Sequence, residues 1–453
     1  MNRPALAVLG VAALAGATLL GHPPGLGVSV VAAALFTAAA VATARRDAWS
    51  VVWWLAAAVL AVVPSLRAAG WVVLPCVAGA VALASLAATG GAGWRQVALG
   101  LVRIARLPTG VVPVLRAPLA ASPRAGWRHT LQAAGIGVLL LSVFVPLFAT
   151  ADAAFAHILD AVVPQEAVDR PLARVGVWLA VVVLGGALLQ AGRDGPARAG
   201  SPGRPRLTRI EWALPLSALV ALFAAFVALQ IATLYGGHDH VLRTAGLTYA
   251  EYAHEGFAQL MAAAALTLLV IAAAARWARD EPLLRVLLAA LCALTLVILA
   301  SALTRLNLYE EAYGFTPLRL AADAAILWLG GLFVLVLAAG AARRARWLPR
   351  AVVALSAAGM LAFAVSDPDR RIAEHNVDRF ERTGRIDAIA LERLSADAAP
   401  ALMRLPAHLR SCTTAPIRRE LATPDGLAGL NAGRARARRV LHTLGPPVAQ
   451  PCS

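Results

Sequence analysis

The chain has 453 residues, of which 60% are hydrophobic and 15% are charged, and its mean hydropathy is +0.70. A water-soluble core cannot hide that much apolar surface, so the composition excludes a soluble fold. All 41 basic residues are arginine, and with 25 acidic residues they give a formal net charge of +16. These arginines stand between apolar runs, where lipid headgroups rather than nucleic acid are the nearest anionic partner.

Eleven apolar runs have lengths suited to a bilayer crossing, which needs roughly 20 residues per helix. The sequence therefore predicts an all-α fold, a polytopic transmembrane helix bundle of about 11 spans with a small helical C-terminal tail outside the membrane. The predicted spans are residues 4–21, 26–43, 49–63, 71–88, 131–150, 173–191, 211–233, 257–275, 285–303, 318–340 and 348–366.

The spans and the longer connections divide the chain into four predicted segments. They are an N-terminal four-span region at 1–92, a basic cytoplasmic or interfacial segment at 93–130, a seven-span membrane core at 131–366 and the tail at 367–453. In the tail, Gly384 is predicted to end one helix, and Asp387 and Ser395 to cap the next two. Beyond Cys412 the Pro, Gly and Arg content rises, which predicts less ordered structure there.

The arginines also orient the spans. One alternate set of connections contains 21 arginines, whereas the opposite set contains only Arg67, Arg170, Arg174, Arg243, Arg305 and Arg319. Because arginine is retained on the cytoplasmic side, the N-terminus is predicted in the cytoplasm and the tail outside it, in a bacterial inner membrane. Residues 1–21 also fit a cleaved signal peptide, and cleavage would leave the other spans oriented as before.

The four cysteines fall into two groups. Cys76 and Cys292 lie alone in predicted spans and are interpreted as small apolar packing residues. Cys412 and Cys452 both lie in the tail, where an oxidising compartment would allow them to form a disulfide. Two free thiols are the alternative, because order is predicted to decrease in that region.

Five stretches of sequence carry a resemblance to a known family. They are Ala151–Phe155, Leu247–Ala253, Arg305–Gly314, Asn376–Arg379 and Leu394–Leu402. In this combination the chain resembles, over roughly residues 130–405, the bacterial polytopic membrane family catalogued as domain of unknown function 4173. The resemblance implies a multi-pass membrane protein and assigns no catalytic residue. It also leads us to expect a basic residue where this chain has His254 or Glu255.

The connections predicted outside the cytoplasm are acidic and rich in histidine, so we look for a binding site there. If consecutive spans are neighbours, the loop at 234–256 and the end of the ninth span bring aromatic, acidic and guanidinium groups to one depth. The predicted binding residues are Tyr249, Glu251, His254, Arg305, Tyr309 and Glu310. The candidate metal ligands are His238 and His240, whose side chains point the same way in an extended segment.

Each of these residues also has a structural interpretation. Arg305 with Glu310 or Glu311 fits a salt bridge at a helix end. Thr248 and Glu251 fit a capping box at the start of the eighth span, and Tyr249 fits an aromatic belt. His238 and His240 fit a solvated polar loop. Gly314 can end the ninth helix, with Thr316 and Pro317 as the N-cap and first residue of the tenth.

Three function classes follow, because the sequence has no P-loop, H-E-x-x-H, C-x-x-C or nucleophile-elbow motif. A sensor or an assembly or scaffold component of the bacterial envelope needs only the outer loops and tail, and we rank it first. A transporter or channel for a small solute and a membrane-embedded envelope enzyme are the alternatives. No cofactor is predicted, and the expected partners are the lipid bilayer and other membrane proteins, not nucleic acid.

Overall fold

A computed structural model gives the architecture of most of the chain. It describes residues 3–19, 21–43, 47–90, 93, 94, 96, 97, 209–235, 257–278, 280–343, 345–442 and 444. The predicted spans 131–150 and 173–191 lie outside these residues, as do most of the basic segment, Tyr249, Glu251, His254, the histidine pair His238 and His240, and Cys452.

The described residues form α-helices joined by short connections and one 3₁₀ turn. The helices, numbered in the order in which they are described, are α1 Arg3–Thr18, α2 Leu26–Ala42, α3 Ala48–Leu66, α4 Gly70–Thr89, α5 Arg209–Tyr235, α6 Phe257–Trp277, α7 Pro282–Tyr313, α8 Pro317–Ala341, α9 Leu348–Val365, α10 Pro368–Thr383, α11 Ala388–Glu392, α12 Ala399–Leu402, α13 Ala407–Leu421 and α14 Ala432–Leu441. The 3₁₀ turn is Ala396–Ala398. The predicted all-α class is confirmed.

Nine predicted spans fall on described residues, and each coincides with one of the helices α1–α9. Among the described residues, α3, α4, α7, α8 and α9 are long and apolar enough to cross a bilayer by themselves, and α2 is a shorter apolar helix. The protein is therefore an integral membrane protein. The main difference from the sequence prediction is α7, which continues past position 303 to Tyr313 and so carries polar residues beyond the apolar run.

The short connections follow from local sequence as predicted. Gly314 ends α7 with a φ of +83° and donates its N–H to the Glu310 carbonyl oxygen at 2.7 Å. The Thr316 side chain accepts from the Arg319 N–H at 3.4 Å, with Pro317 as the first residue of α8. Glycine suits the left-handed region, and proline suits the first helical position, where no N–H is needed.

The chain forms two compact units, and the first contains α1–α4 with two pieces of the tail. Consecutive helices α1 to α4 pack side by side. The tail residues in this unit are 395–399 and 415–447. Helix α14 packs on the 3₁₀ turn and on α3, so these tail pieces belong to the folded unit rather than to a free end.

Side chains of the tail satisfy backbone groups at the ends of α3 and α4. The Asp397 carboxylate accepts from the Ala68 and Ala69 N–H groups, at 2.7 and 3.3 Å, immediately before α4 begins. The Asn431 side-chain amide donates to the carbonyl oxygens of Pro64 and Arg67, both at 2.8 Å. These are the groups that a helix terminus leaves without an intrahelical partner.

Backbone contacts join the tail to the start of α2. The Leu26 N–H donates to the Leu430 carbonyl oxygen at 2.9 Å, and the Gly27 N–H to that of Ala428 at 2.7 Å. A Cβ at Gly25 would lie 2.5 Å from the Gly429 carbonyl oxygen, so this approach requires glycine. The two backbones meet only because that side chain is missing.

Helical structure continues well beyond Cys412, where the sequence predicted less order. Helix α13 runs to Leu421, and α14 begins at the N-cap Asn431, whose side chain accepts from the Arg434 N–H at 3.0 Å. The buried ion pair of Arg434 and Asp425 stabilises this part of the tail, and this outweighs the disorder expected from the local Gly and Arg content. Cys412 carries a disulfide, and its predicted pairing with Cys452 stays a prediction because Cys452 lies outside the described residues.

The second unit contains α5–α11 and the tail residues 400–414. Its centre is α7, which packs against α5, α6 and α8, while α9 packs on the other side of α8. The core of this unit includes Leu291, Leu299 and Phe333, all buried. Because α6 and α7 are neighbours, the arrangement expected for the eighth and ninth spans is confirmed.

Candidate functional site

The described members of the predicted binding site all lie near the end of α7. They are Arg305, Tyr309 and Glu310. Glu310 is the most buried of them, at 1% exposure, although it lies only one turn from the helix end. Neither of its carboxyl oxygens has a hydrogen-bond partner within the part of the chain that the structure describes. A buried acid in that condition is energetically unfavourable unless another group meets it.

A second acid lies beside Glu310. Asp323, in the second turn of α8, is half-buried and interacts electrostatically with Glu310. One of its carboxyl oxygens is also buried and meets no hydrogen-bond partner in the described ranges. Two ionised carboxylates cannot donate hydrogen bonds to each other, so this pair needs a proton or another donor between them.

Two arginines lie within electrostatic range of the pair. Arg319 comes from α8 and Arg371 from α10, the first tail helix. The Arg319 guanidinium is engaged elsewhere, since it donates to the Gly314 carbonyl oxygen and lies 4.4 Å above the Tyr309 ring. With both acids ionised, the four groups sum to zero charge, so the arginines balance the carboxylates without hydrogen bonding to the Glu310 oxygens.

Tyr309 forms an aromatic wall beside the acids. Its ring centroid lies 4.8 Å from that of Tyr313, one turn further along α7. Arg319 over the Tyr309 ring is a cation–π arrangement, which fixes the guanidinium at the end of the helix. Among the described residues, the end of α7 and the start of α8 therefore bring together an aromatic ring, two carboxyl groups and the Arg319 guanidinium. The predicted six-residue binding site, which includes Arg305, stays a prediction.

Helix α10 of the tail is attached to the turn between α7 and α8, directly next to this site. The Asn376 side chain accepts from the Phe315 N–H at 3.1 Å and donates to the Phe315 carbonyl oxygen at 2.9 Å. Arg379 donates to the carbonyl oxygens of Glu311, at 3.2 Å, and Ala312. These carbonyls are among the last four of α7, which have no intrahelical donor, so the tail completes the end of the helix.

The turn leaves no room for a side chain at Gly314. A Cβ there would lie 2.2 Å from the Asn376 side-chain oxygen. The neighbouring Phe315 ring stacks on His375 of α10, with ring centroids 4.4 Å apart. Asn376, His375 and Arg379 therefore connect α10 to the end of α7 and to the turn before α8.

Sequence reasoning missed half of this site. No site role was predicted from sequence for Asp323, Arg319, Arg371 or Asn376, although Arg319 contributes to the predicted orientation and Asn376 lies in a stretch that carries the family resemblance. An acidic residue two turns into an apolar helix is a signal that could have identified Asp323. Nothing in the sequence shows that Arg371, some fifty residues later, lies above it.

No metal centre is found in the described part of the chain, which contains no group of three His, Cys, Asp or Glu side chains able to hold an ion. The histidine pair predicted to bind a metal lies outside these residues, so that prediction is untested. The carboxyl pair can bind a proton or a positively charged group that donates hydrogen bonds.

A family model described as Domain of unknown function (DUF4153) matches residues 54–405, well over half of the chain. The match covers the whole candidate site and α10, but not α1, α2, α13 or α14. The resemblance to family 4173 is not confirmed, although an uncharacterised family is. No curated protein and no solved structure matches the chain.

Proposed function

The chain belongs to this family, and we propose that it is a membrane sensor, or a sensing component of an envelope assembly, whose tail responds to occupancy of the Glu310–Asp323 site. The observation that carries the proposal is that Glu310 is buried next to a turn held by the tail helix α10, and that its carboxyl oxygens meet no hydrogen-bond donor among the described residues. An intramembrane or interfacial acid of this kind is a functional site by default.

The proposed signal is a cationic or hydrogen-bond-donating group. With the site empty, the neighbouring carboxylates of Glu310 and Asp323 repel each other where α7 packs against α8. A proton or an ammonium group between them removes that repulsion, and the turn at 314–316 moves with the two helices. Asn376 and Arg379 are hydrogen-bonded to the residues around that turn. Binding at the site therefore shifts the conformational equilibrium of α10.

We further propose that the site and the tail face the extracytoplasmic side of a bacterial inner membrane. The arginine distribution supports this orientation. Contacts within each unit also support it. In the second unit the tail helix α10 meets the α7–α8 connection, and in the first unit the tail pieces meet the α1–α2 and α3–α4 connections. Span parity assigns all three connections to the side of the tail.

Hydrogen–deuterium exchange of the full chain in nanodiscs tests the sensor. Exchange of residues 368–383 is followed at pH 8 with no addition, with methylammonium and with Ca²⁺, and again at pH 6, after correction for the intrinsic rate. The parent should gain or lose protection in α10 with at least one of these additions, and Glu310→Gln should not. Glu311→Gln is the matched control, because Glu311 is the exposed neighbour of Glu310.

The remaining titratable group against this turn needs its own control. His375 stacks on Phe315, so His375→Gln separates its effect from that of the acids. A response that persists in Glu310→Gln but disappears in His375→Gln would overturn the proposed site. The same response in the parent and in Glu310→Gln would also overturn it.

Proton-coupled transport is the second candidate, because Glu310 and Asp323 lie on two helices able to span the membrane. Proteoliposomes with an internal pH dye distinguish the two functions. A proton flux that depends on Glu310 favours transport. An α10 response without any flux favours the sensor.

A further inference from the structure

A separate feature of the first unit concerns the loop between α13 and α14. Its residue Leu427 is 82% exposed, and Leu430 is 46% exposed. Large aliphatic side chains this exposed on a compact tail, held by backbone contacts on both sides, are unusual unless they meet an apolar phase. The loop is folded rather than free, since Gly429 donates its N–H to the Asp425 carbonyl oxygen at 3.2 Å.

The loop between α13 and α14 is attached to the first turn of the apolar helix α2. Ala428 and Leu430 accept hydrogen bonds from the first two residues of α2, Leu26 and Gly27. Leu26 and Val30, one turn apart on α2, are exposed to similar degrees, at 38% and 43%. They form an exposed apolar face of α2, a helix predicted to cross the bilayer, and the loop that carries Leu427 and Leu430 is hydrogen-bonded to the first turn of that helix.

The charge around the loop matches an anionic surface. Between residues 415 and 442 the tail carries six arginines against two acids, a net charge of +4. The arginines are Arg418, Arg419, Arg434, Arg436, Arg438 and Arg439, and the acids are Glu420 and Asp425. Arg434 and Arg438 are paired with Asp425, whereas Arg419 and Arg439 are exposed at the surface of this part of the tail.

We propose that the α13–α14 loop is a membrane anchor that inserts Leu427 and Leu430 at the bilayer surface, while neighbouring arginines contact anionic lipid headgroups. Apolar insertion and basic residues together are the two signals that make interfacial binding stable. The proposal does not depend on which side of the membrane the tail occupies, nor on the sensor function. The binding partner of the α13–α14 loop in this proposal is the lipid surface next to α2.

Spin labelling of the full chain in nanodiscs tests the anchor. A nitroxide at Leu427→Cys should lie about 5–10 Å below the headgroup boundary by oxygen and nickel accessibility. The matched control is Glu420→Cys, an exposed position of the same tail piece, whose label should be in water. An unchanged melting temperature of the labelled variants shows that the loop is still folded.

Lipid composition tests the headgroup contact. The label at 427 should lie deeper in discs that contain phosphatidylglycerol than in pure phosphatidylcholine discs, and Arg439→Gln with Arg419→Gln should reduce the difference. A label at 427 as accessible to water as the label at 420, in both kinds of disc, would overturn the anchor. Equal depth in both compositions would overturn the assignment of anionic headgroups.

Discussion

Two buried charged clusters, one in each unit, are built in opposite ways. In the first unit, Arg434 is 2% exposed and Asp425 6% exposed, and their side chains meet at 3.0 Å. Arg434 also donates to the carbonyl oxygens of Pro24, at 2.9 Å, and Gly429. In the second unit, Glu310 is equally buried but its oxygens meet no donor among the described residues.

The difference separates a structural charge from a functional one. A buried ion pair whose hydrogen bonds are all made holds segments together, and removing one partner is strongly destabilising. A buried carboxylate without donors lowers stability, and the protein gains by filling or neutralising it. The first cluster fixes the tail to α1–α4, whereas the second has hydrogen-bonding capacity that no residue in the described part of the chain uses.

The largest expected effect is that of Arg434→Met. It leaves Asp425 buried with Arg438 alone and leaves the Pro24 and Gly429 carbonyl oxygens without this donor, so the tail should be destabilised by about 3–5 kcal/mol. Native-state proteolysis of residues 415–442 by thermolysin measures this local free energy. Arg439→Met, an exposed position in the same helix, should change it by less than about 0.5 kcal/mol. Equal effects of the two variants would contradict the structural role of Arg434.

Acid should weaken the same cluster. Burial alone raises the pKa of Asp425, but hydrogen bonds and charges from Arg438 and Arg434 outweigh burial and hold this pKa below its ordinary value of 3.8. The ionised form therefore favours the folded tail: its stabilisation is complete above about pH 4 and is lost as the pH falls through the folded pKa. The stability difference between the parent and Asp425→Asn should be largest near pH 6 and should shrink below pH 4. A difference that is constant with pH would show that the carboxylate charge is not what holds the tail.

Glu310→Gln should raise the stability of the protein, whereas Arg434→Met lowers it. It removes a buried charge that meets no donor among the residues the structure describes, so the variant should be more stable than the parent by about 1 kcal/mol. The melting temperature in detergent or nanodiscs measures this gain in stability. The control Glu311→Gln should leave the melting temperature unchanged. A clear loss of stability in Glu310→Gln would mean that Glu310 is paired in the membrane, and the contrast between the two clusters would fail.

The smallest effect is expected at the surface ion pairs of α10. Arg404 meets Asp378 at 2.7 Å and Glu381 at 2.6 Å, but all three side chains are largely exposed. Arg404→Gln should therefore cost less than about 1 kcal/mol, and high salt should remove the difference. A loss comparable with that of Arg434→Met would show that exposure does not decide the strength of these pairs.

Local features were predictable from sequence because they depend on neighbouring residues. Gly314 ends α7, Thr316 caps α8, and Gly384, Asp387 and Ser395 end or cap the tail helices as predicted. The described spans were predictable for the same reason, since an apolar run of the right length has few alternatives to a membrane helix. The burial of Glu310 was not predictable from sequence, because it follows from the packing of α7 against α8 and α10.

By itself, the sequence determined that this is a polytopic helical membrane protein and where most helices begin and end, because hydropathy and capping act over one or a few turns. Only the tertiary structure decided that Asp323 and Arg371 join Glu310, and that Asp397, Asp425, Asn431 and Arg434 attach the tail to α1–α4. These groups are separated by tens to hundreds of residues. Their pairing depends on which helix ends pack together, and that is a property of the whole fold.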